Sequence, residues 1–239
     1  AFARVSHLFR CVAYDVFDQT AAFQHACRHN YIDIVRTLLT DGRADPTADN
    51  NSAIRMSSEK GHADVVKLLL ADGRDDPTAW NNYAIRYSSK NGHADVVRLL
   101  LADARVDPTV WNNYAIRRSS ANGDTEVVRL LLADRRADPT TGNNYPIRIS
   151  SQYGHADVVK LLLSDQRVDP KARNSYAIQF CSANGHADVV RLLLADGRAD
   201  PTADNNYALW TSSWSGYADL QRTITMRSDR AAGMDMQRW

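Results

Sequence analysis

A chain of 239 residues that is 44% hydrophobic and 24% charged has an ordinary soluble composition, and its formal net charge of +1 excludes a global electrostatic pull towards nucleic acid. No apolar run approaches the roughly 18 residues of a membrane-spanning helix. Three scattered cysteines, Cys11, Cys27 and Cys181, exclude a disulfide framework and predict a reducing, intracellular setting, the cytoplasm.

The chain opens "AFARVSHLFRCVAYDVFD", which lacks the continuous apolar stretch of a targeting peptide. Val5, Leu8, Phe9, Val12 and Val16 share one helical face, which predicts a capping helix within residues 1–18. From residue 19 the sequence is periodic. Asp-Pro recurs at Asp45-Pro46, Asp76-Pro77, Asp107-Pro108, Asp138-Pro139, Asp169-Pro170 and Asp200-Pro201, always 31 residues apart. Gly61, Gly92, Gly123, Gly154, Gly185 and Gly216 keep the same spacing. A fixed period of this size marks a solenoid or related array. Units are expected from residues 19, 50, 81, 112, 143, 174 and 205, with the array ending near 225 and a patternless tail at 226–239. The end units are atypical: Asn30 stands in the glycine slot of the first, and Thr223-Ile224-Thr225 replaces Leu-Leu-Leu in the last. A stack needs ends that can face water.

Within the unit Asn81–Trp111, Asn81 and Asn82 are expected to cap a first helix through their side-chain oxygens. Pro146, in the equivalent of the Ala84 position, sets the register, because proline is tolerated only in a helix's first turn. Gly92 closes that helix. A second helix covers Ala94–Asp103, with Asp95 placed to pair with Arg98, and the same pairing is expected at Asp33/Arg36, Asp64/Lys67, Glu126/Arg129, Asp157/Lys160, Asp188/Arg191 and Asp219/Arg222. Val96, Val97, Leu99, Leu100 and Leu101 make a stripe too wide for one contact, so neighbouring units must cover it. "ARVDPTVW" is expected to form a short extended finger between units.

The run "G-H-x-[DE]-V-V-x-L-L-L", with Ser88-Ser89 ahead of Gly92-His93 and Pro146 in a proline slot, resembles the ankyrin repeat family. The resemblance covers roughly residues 19–225 and implies an all-α solenoid of stacked helix-turn-helix repeats with short extended finger loops. Here the period is 31 instead of the family's usual 33, and Arg55, Arg86, Arg117 and Arg148 stand where the family has histidine, followed by Gln179 and Trp210. It further implies a non-catalytic scaffold that binds protein partners on a concave surface of first helices and fingers.

No nucleotide-, metal- or hydrolase-type motif is present, so no catalytic residue, cofactor or metal is expected. His62, His93, His155 and His186 recur one unit apart, too far to share an ion, and are read as locking the inter-helix turn. The arginine ladder at 55, 86, 117 and 148 is read as bridging to carbonyls or adjacent loops, with a basic groove as the competing reading. A second ladder, Arg43, Arg74, Arg105, Arg136, Arg167 and Arg198, lies beside helix C-termini. The residues free to vary on this frame are the candidate partner contacts: Trp80, Trp111, Tyr87, Arg118, Lys90, Tyr153, Phe180 and Arg173. No specific nucleic acid is expected. The alternative function is a structural subunit of a larger multi-protein assembly, docked through exposed features such as Phe2, Trp210, Trp214 and Trp239.

Overall fold

The computed structural model describes residues 19–42 and 44–231. The expected capping helix, Phe2, Cys11, Arg43 and Trp239 lie outside the described residues. The chain divides after Pro108 into two compact units. The first holds α1 (Gln19–Arg28), α2 (Ile32–Thr40), α3 (Ala48–Lys60), α4 (Ala63–Asp72), α5 (Ala79–Lys90) and α6 (Ala94–Ala102). The second holds α7 (Val110–Asn122), α8 (Thr125–Asp134), α9 (Thr141–Gln152), α10 (Ala156–Ser164), α11 (Ala172–Ala183), α12 (Ala187–Asp196), α13 (Ala203–Trp214) and α14 (Ala218–Ala231). There is no strand among the described residues, and the architecture is the all-α repeat solenoid that the period predicts. Within each unit, odd-numbered helices pack on odd, even on even, and each odd helix on the even helix after it.

The core shows why the unit repeats. In each complete second helix the Val-Val pair and the middle leucine are buried: Val65, Val66 and Leu69, then Val96, Val97 and Leu100, Val127, Val128 and Leu131, Val158, Val159 and Leu162, and Val189, Val190 and Leu193. Full burial of such a side chain contributes roughly 1.5–3 kcal/mol. No single pair of short helices could bury the row alone. In α14 the slot of the second valine is Gln221, which is exposed, while Leu220 and Ile224 remain buried. One side of that helix still faces a neighbour and the other has turned polar.

The first helices do not begin as expected. Residues 49–51, 80–82, 111–113, 142–144, 173–175 and 204–206 are each three consecutive residues in the left-handed region, for example Trp80 at φ 54°, Asn81 at 54° and Asn82 at 55°. Each turn is closed by a backbone hydrogen bond such as Asn82 N–H to the Thr78 carbonyl at 2.7 Å. The paired asparagines are therefore not N-caps. Left-handed backbone costs an L-residue roughly 1–2 kcal/mol, least for asparagine, and that preference selects the Asn-Asn pair. The right-handed helix starts just after it, which leaves Pro146 in its first turn, where no N–H is required. Trp80, Trp111 and Arg173 thus sit in these turns and not in extended fingers.

At the other end, Gly61 takes φ 78° and the next N–H, from His62, bonds back to the Ser57 carbonyl at 2.9 Å. Asn30 does the same work at φ 59° in the first pair, with Tyr31 N–H bonded to the Ala26 carbonyl at 2.9 Å. Asparagine is the next best left-handed residue, which accounts for its standing in the glycine slot.

Candidate partner-binding surface

The recurring polar residues are largely consumed in holding the frame. Arg86 donates from Nε to the Asn81 carbonyl at 2.9 Å and from Nη2 to the Trp80 carbonyl at 2.8 Å. Arg55, Arg117 and Arg148 make the same two bonds to their own left-handed turns. Gln179 keeps one, to the Asn174 carbonyl at 2.7 Å. Burial, and after it the charge of Arg173, pushes the Arg148 guanidinium below its ordinary range. This ladder clamps the strained turns.

The stack is latched at three further points. In four Asn pairs the second residue accepts the backbone N–H of the aspartate that closes its own unit: Asn51 from Asp76 at 2.7 Å, and Asn82 from Asp107, Asn113 from Asp138 and Asn144 from Asp169, each at 2.8 Å. His93 Nε2 lies 2.9 Å from the Glu59 carbonyl, and His155 and His186 lie 3.0 Å from those of Ala121 and Gln152. A Cβ added to Gly61 would come within 2.6 Å of the His93 ring, so glycine also leaves room for this contact. Arg74, Arg105, Arg167 and Arg198 pair with Asp72, Asp103, Asp165 and Asp196 and reach a carbonyl of the preceding loop, such as Val168 O at 2.8 Å from Arg198. Hydrogen bonds from these arginines hold the four carboxyls below the usual carboxylate range.

The pairing expected across the first turn of the second helices forms at Asp33/Arg36, Asp95/Arg98, Glu126/Arg129 and Asp188/Arg191. No such ion pair is present at Asp64/Lys67, Asp157/Lys160 or Asp219/Arg222. These are exposed contacts, worth little in either case.

What remains is a set of varied side chains on the first helices. Trp80 is 57% exposed, with the Arg55 guanidinium 4.0 Å from its ring centroid and Tyr83 edge-on at 6.2 Å. Tyr83 stacks on Tyr87 at 4.1 Å, and Lys90 Nζ lies 5.3 Å from the Tyr87 ring. The structure therefore brings Trp80, Tyr87 and Lys90 into one row along α5. In the second unit, Trp111 is also 57% exposed, edge-on to Tyr114, with Arg118 6.0 Å from the Tyr114 ring. Tyr153 is exposed at the end of α9, Arg173 is exposed in its turn, and Phe180 is half-buried on α11, stacked on Tyr176 at 3.9 Å. Phe180 leads to Tyr207, Trp210 and Trp214, three residues absent from the sequence-derived contact set. The signal was present: Trp210 breaks the Arg/Gln slot and Trp214 breaks the run Glu59, Lys90, Ala121, Gln152, Ala183.

An open groove of about 760 Å³ lies between α8 and α10, lined by residues including Arg129, Arg135, Leu161, Asp165 and Arg167. No group of three or more metal-ligating side chains lies together among the described residues.

Paired helices repeating on a 31-residue period define a helical repeat protein. The family model for ankyrin repeats (3 copies) matches residues 4–79 and 147–229, and the chain belongs to the ankyrin repeat family. Domains of this family generally mediate protein–protein interaction. Among solved structures, the ankyrin repeat domain of Bcl-3, described as a unique member of the IkappaB protein family, is similar at a TM-score of 0.65 and 21% identity, covering 84% of this chain and 97% of that one. The ankyrin repeat domain of human ASB11 gives 0.62 at 18% identity, covering 80% of this chain and 96% of that one. The ankyrin repeat protein EF0377 gives 0.61 at 20% identity, covering 74% and 98%. No curated protein matches the sequence.

Proposed function

We propose that this chain is a non-catalytic scaffold that holds a segment of a partner protein on its first helices and left-handed turns, the side that is concave in ankyrin arrays. One observation carries the reading. Side chains that recur in every repeat are spent on clamping turns and latching neighbours, whereas Trp80, Trp111, Tyr87, Lys90, Arg118, Tyr153, Arg173 and Phe180 vary and lie on first helices or at their ends. A surface presented by a rigid frame loses little ordering entropy on binding, and tryptophan, tyrosine and arginine are the side chains that most often anchor interfaces. Cys27 and Cys181 are free and buried, and burial pushes the Cys27 thiol up to about 12 and the Cys181 thiol up as well, so both are unreactive core thiols.

The test is affinity capture with the full chain from an extract of its source, then calorimetry with the purified partner. The combined substitutions Trp80→Ala, Tyr87→Ala and Lys90→Ala, or Trp111→Ala with Arg118→Ala, should weaken Kd about ten-fold or more. Binding that ignores both sets, yet is lost on Lys67→Glu with Lys160→Glu on the second helices, would overturn the reading. Capture of several partners insensitive to every first-helix change would favour the assembly-subunit alternative.

A further inference from the structure

Aromatic rings on the first helices come in two electrostatic settings. Trp80, Tyr83, Tyr87, Tyr114, Tyr145 and Tyr176 each have an arginine or lysine 4.0–6.0 Å from the ring centroid, namely Arg55, Arg86, Lys90, Arg118, Arg117 or Arg148. Beyond Tyr176 the row continues without one. Phe180 to Tyr207 is 6.4 Å, Tyr207 to Trp210 is 6.2 Å, and Trp210 stacks on Trp214 at 5.7 Å, with no described cation over any of the four rings. The cause is legible in the ladder slot, where Arg55, Arg86, Arg117 and Arg148 give way to Gln179 and then to Trp210. Two guanidiniums are lost in succession and a large ring is gained.

Within this strip Phe180 and Tyr207 are half-buried, whereas Trp210 is 58% exposed and Trp214 is 81% exposed. Asp204 in the turn that opens α13 and Asp219 in the first turn of α14 are exposed, and neither is in an ion pair with a described residue. Ring faces carry partial negative charge, indole most of all, and arginine stacks on them better than lysine because its guanidinium is planar and weakly hydrated. At Trp80, Tyr83, Tyr87, Tyr114, Tyr145 and Tyr176 the chain's own cations already fill this role.

We propose that the strip Phe180–Tyr207–Trp210–Trp214 docks an arginine-bearing segment of a protein partner, with a guanidinium seated on the exposed tryptophan rings. The proposal rests on the partner-scaffold reading above and names the chemistry of the segment. The probe is the acetylated, amidated peptide Gly-Arg-Gly-Arg-Gly, against the same peptide with citrulline, which keeps the planar shape and loses the charge. The readout is the indole N–H signals of the full ¹⁵N-labelled chain, assigned by single Trp→Phe substitutions. The Trp210 and Trp214 signals should move with the arginine peptide at about millimolar concentration, at least about five-fold more than with citrulline. The Trp80 signal should stay, because Arg55 already lies over that ring. Trp210→Arg, which restores the ladder residue, should cut the response of Trp214 about five-fold while leaving the helical circular dichroism unchanged, and Trp214→Ala should do the same to Trp210.

Equal response to both peptides, or no response of Trp210 and Trp214, would overturn the proposal. A natural partner lost on the α5 or α7 substitutions, with Trp210 silent to arginine, would sink this inference and leave the scaffold reading standing. Arginine-dependent shifts with capture indifferent to every first-helix change would sink the scaffold reading instead.

Discussion

Helices α9 and α13 hold the same place in their repeats and differ in what covers their far sides. On α9, Asn144 and Ser151 are buried, Ile147 is inaccessible and Arg148 is clamped to its turn. On α13 the corresponding Asn206 and Ser213 are exposed, Leu209 is half-buried and Trp210 stands in the arginine's place. α9 packs on both α7 and α11, whereas α13 packs on α11 alone among first helices. The comparison teaches that the repeated residues answer to a neighbour. On α13, where no second first helix packs among the described residues, the same positions are exposed and carry polar or aromatic residues.

The contrast can be broken by measuring unfolding in urea. The largest effect is expected at the isoleucine slot: Ile147→Ala should cost about 2–5 kcal/mol, and Leu209→Ala clearly less. Next comes the clamp. Arg148→Ala strips two carbonyls of a left-handed turn of their donor and should cost about 2–3 kcal/mol, whereas Trp210→Ala should change stability by about 0.5 kcal/mol at most.

Asp75 sharpens the comparison from the other direction, because it breaks the frame inside the first unit. Its slot is Ala44, Val106, Ala137, Val168 and Ala199 elsewhere, all buried. Asp75 is buried too, and neither carboxyl oxygen has a hydrogen-bond partner. Burial, with the charge of Asp72 second, raises its pKa from 3.8 to about 7, against the lowering influence of Arg74 and Arg105. A raised acid binds its proton more tightly in the folded chain, so stability falls as pH rises from 3.8 towards about 7 and then levels. Asp75→Val should therefore stabilise by on the order of 2 kcal/mol above pH 7 and flatten the decline between those limits, as read from urea midpoints across pH.

Smaller effects follow at the latch and the turn. Asn144→Ala, which removes the acceptor for the Asp169 N–H and places alanine in left-handed backbone, should cost about 2 kcal/mol, and Asn206→Ala, whose exposed side chain leaves only the backbone preference to lose, about 0.5–1 kcal/mol. Trp80→Gly relieves left-handed strain and should stabilise by a few tenths to about 1 kcal/mol, offset in part by the lost contact with Arg55.

Much of the fold was legible because burial imposes a period. The Val-Val and leucine slots, the glycine stops and Pro146 report backbone and core directly. The function of the asparagine pair was not legible. Asn at a helix start ordinarily signals a cap, and only the structure shows three left-handed residues there with a side chain that accepts from the segment closing the unit. The arginine ladder was half legible: carbonyl acceptors could be anticipated, but not that they belong to the arginine's own turn. Of the candidate surface, spacing places Tyr87 and Lys90 one turn apart on a helix, and the left-handed turn, which spacing does not show, brings Trp80 into their row. Trp210 and Trp214 stand out in the sequence only as aromatic end features, because sequence does not show that their rings continue the line of Phe180 and Tyr207.

The asparagine latch has a genetic consequence. Its acceptor and donor lie 25 residues apart, as in Asn113 and Asp138 or Asn144 and Asp169, and both fall inside one 31-residue unit, tying the turn that opens it to the segment that closes it. Each such unit therefore carries its own acceptor and its own donor. Duplicating or excising a whole 31-residue cassette leaves all remaining junctions chemically complete, so the gene can lengthen or shorten in register without inventing a new joint.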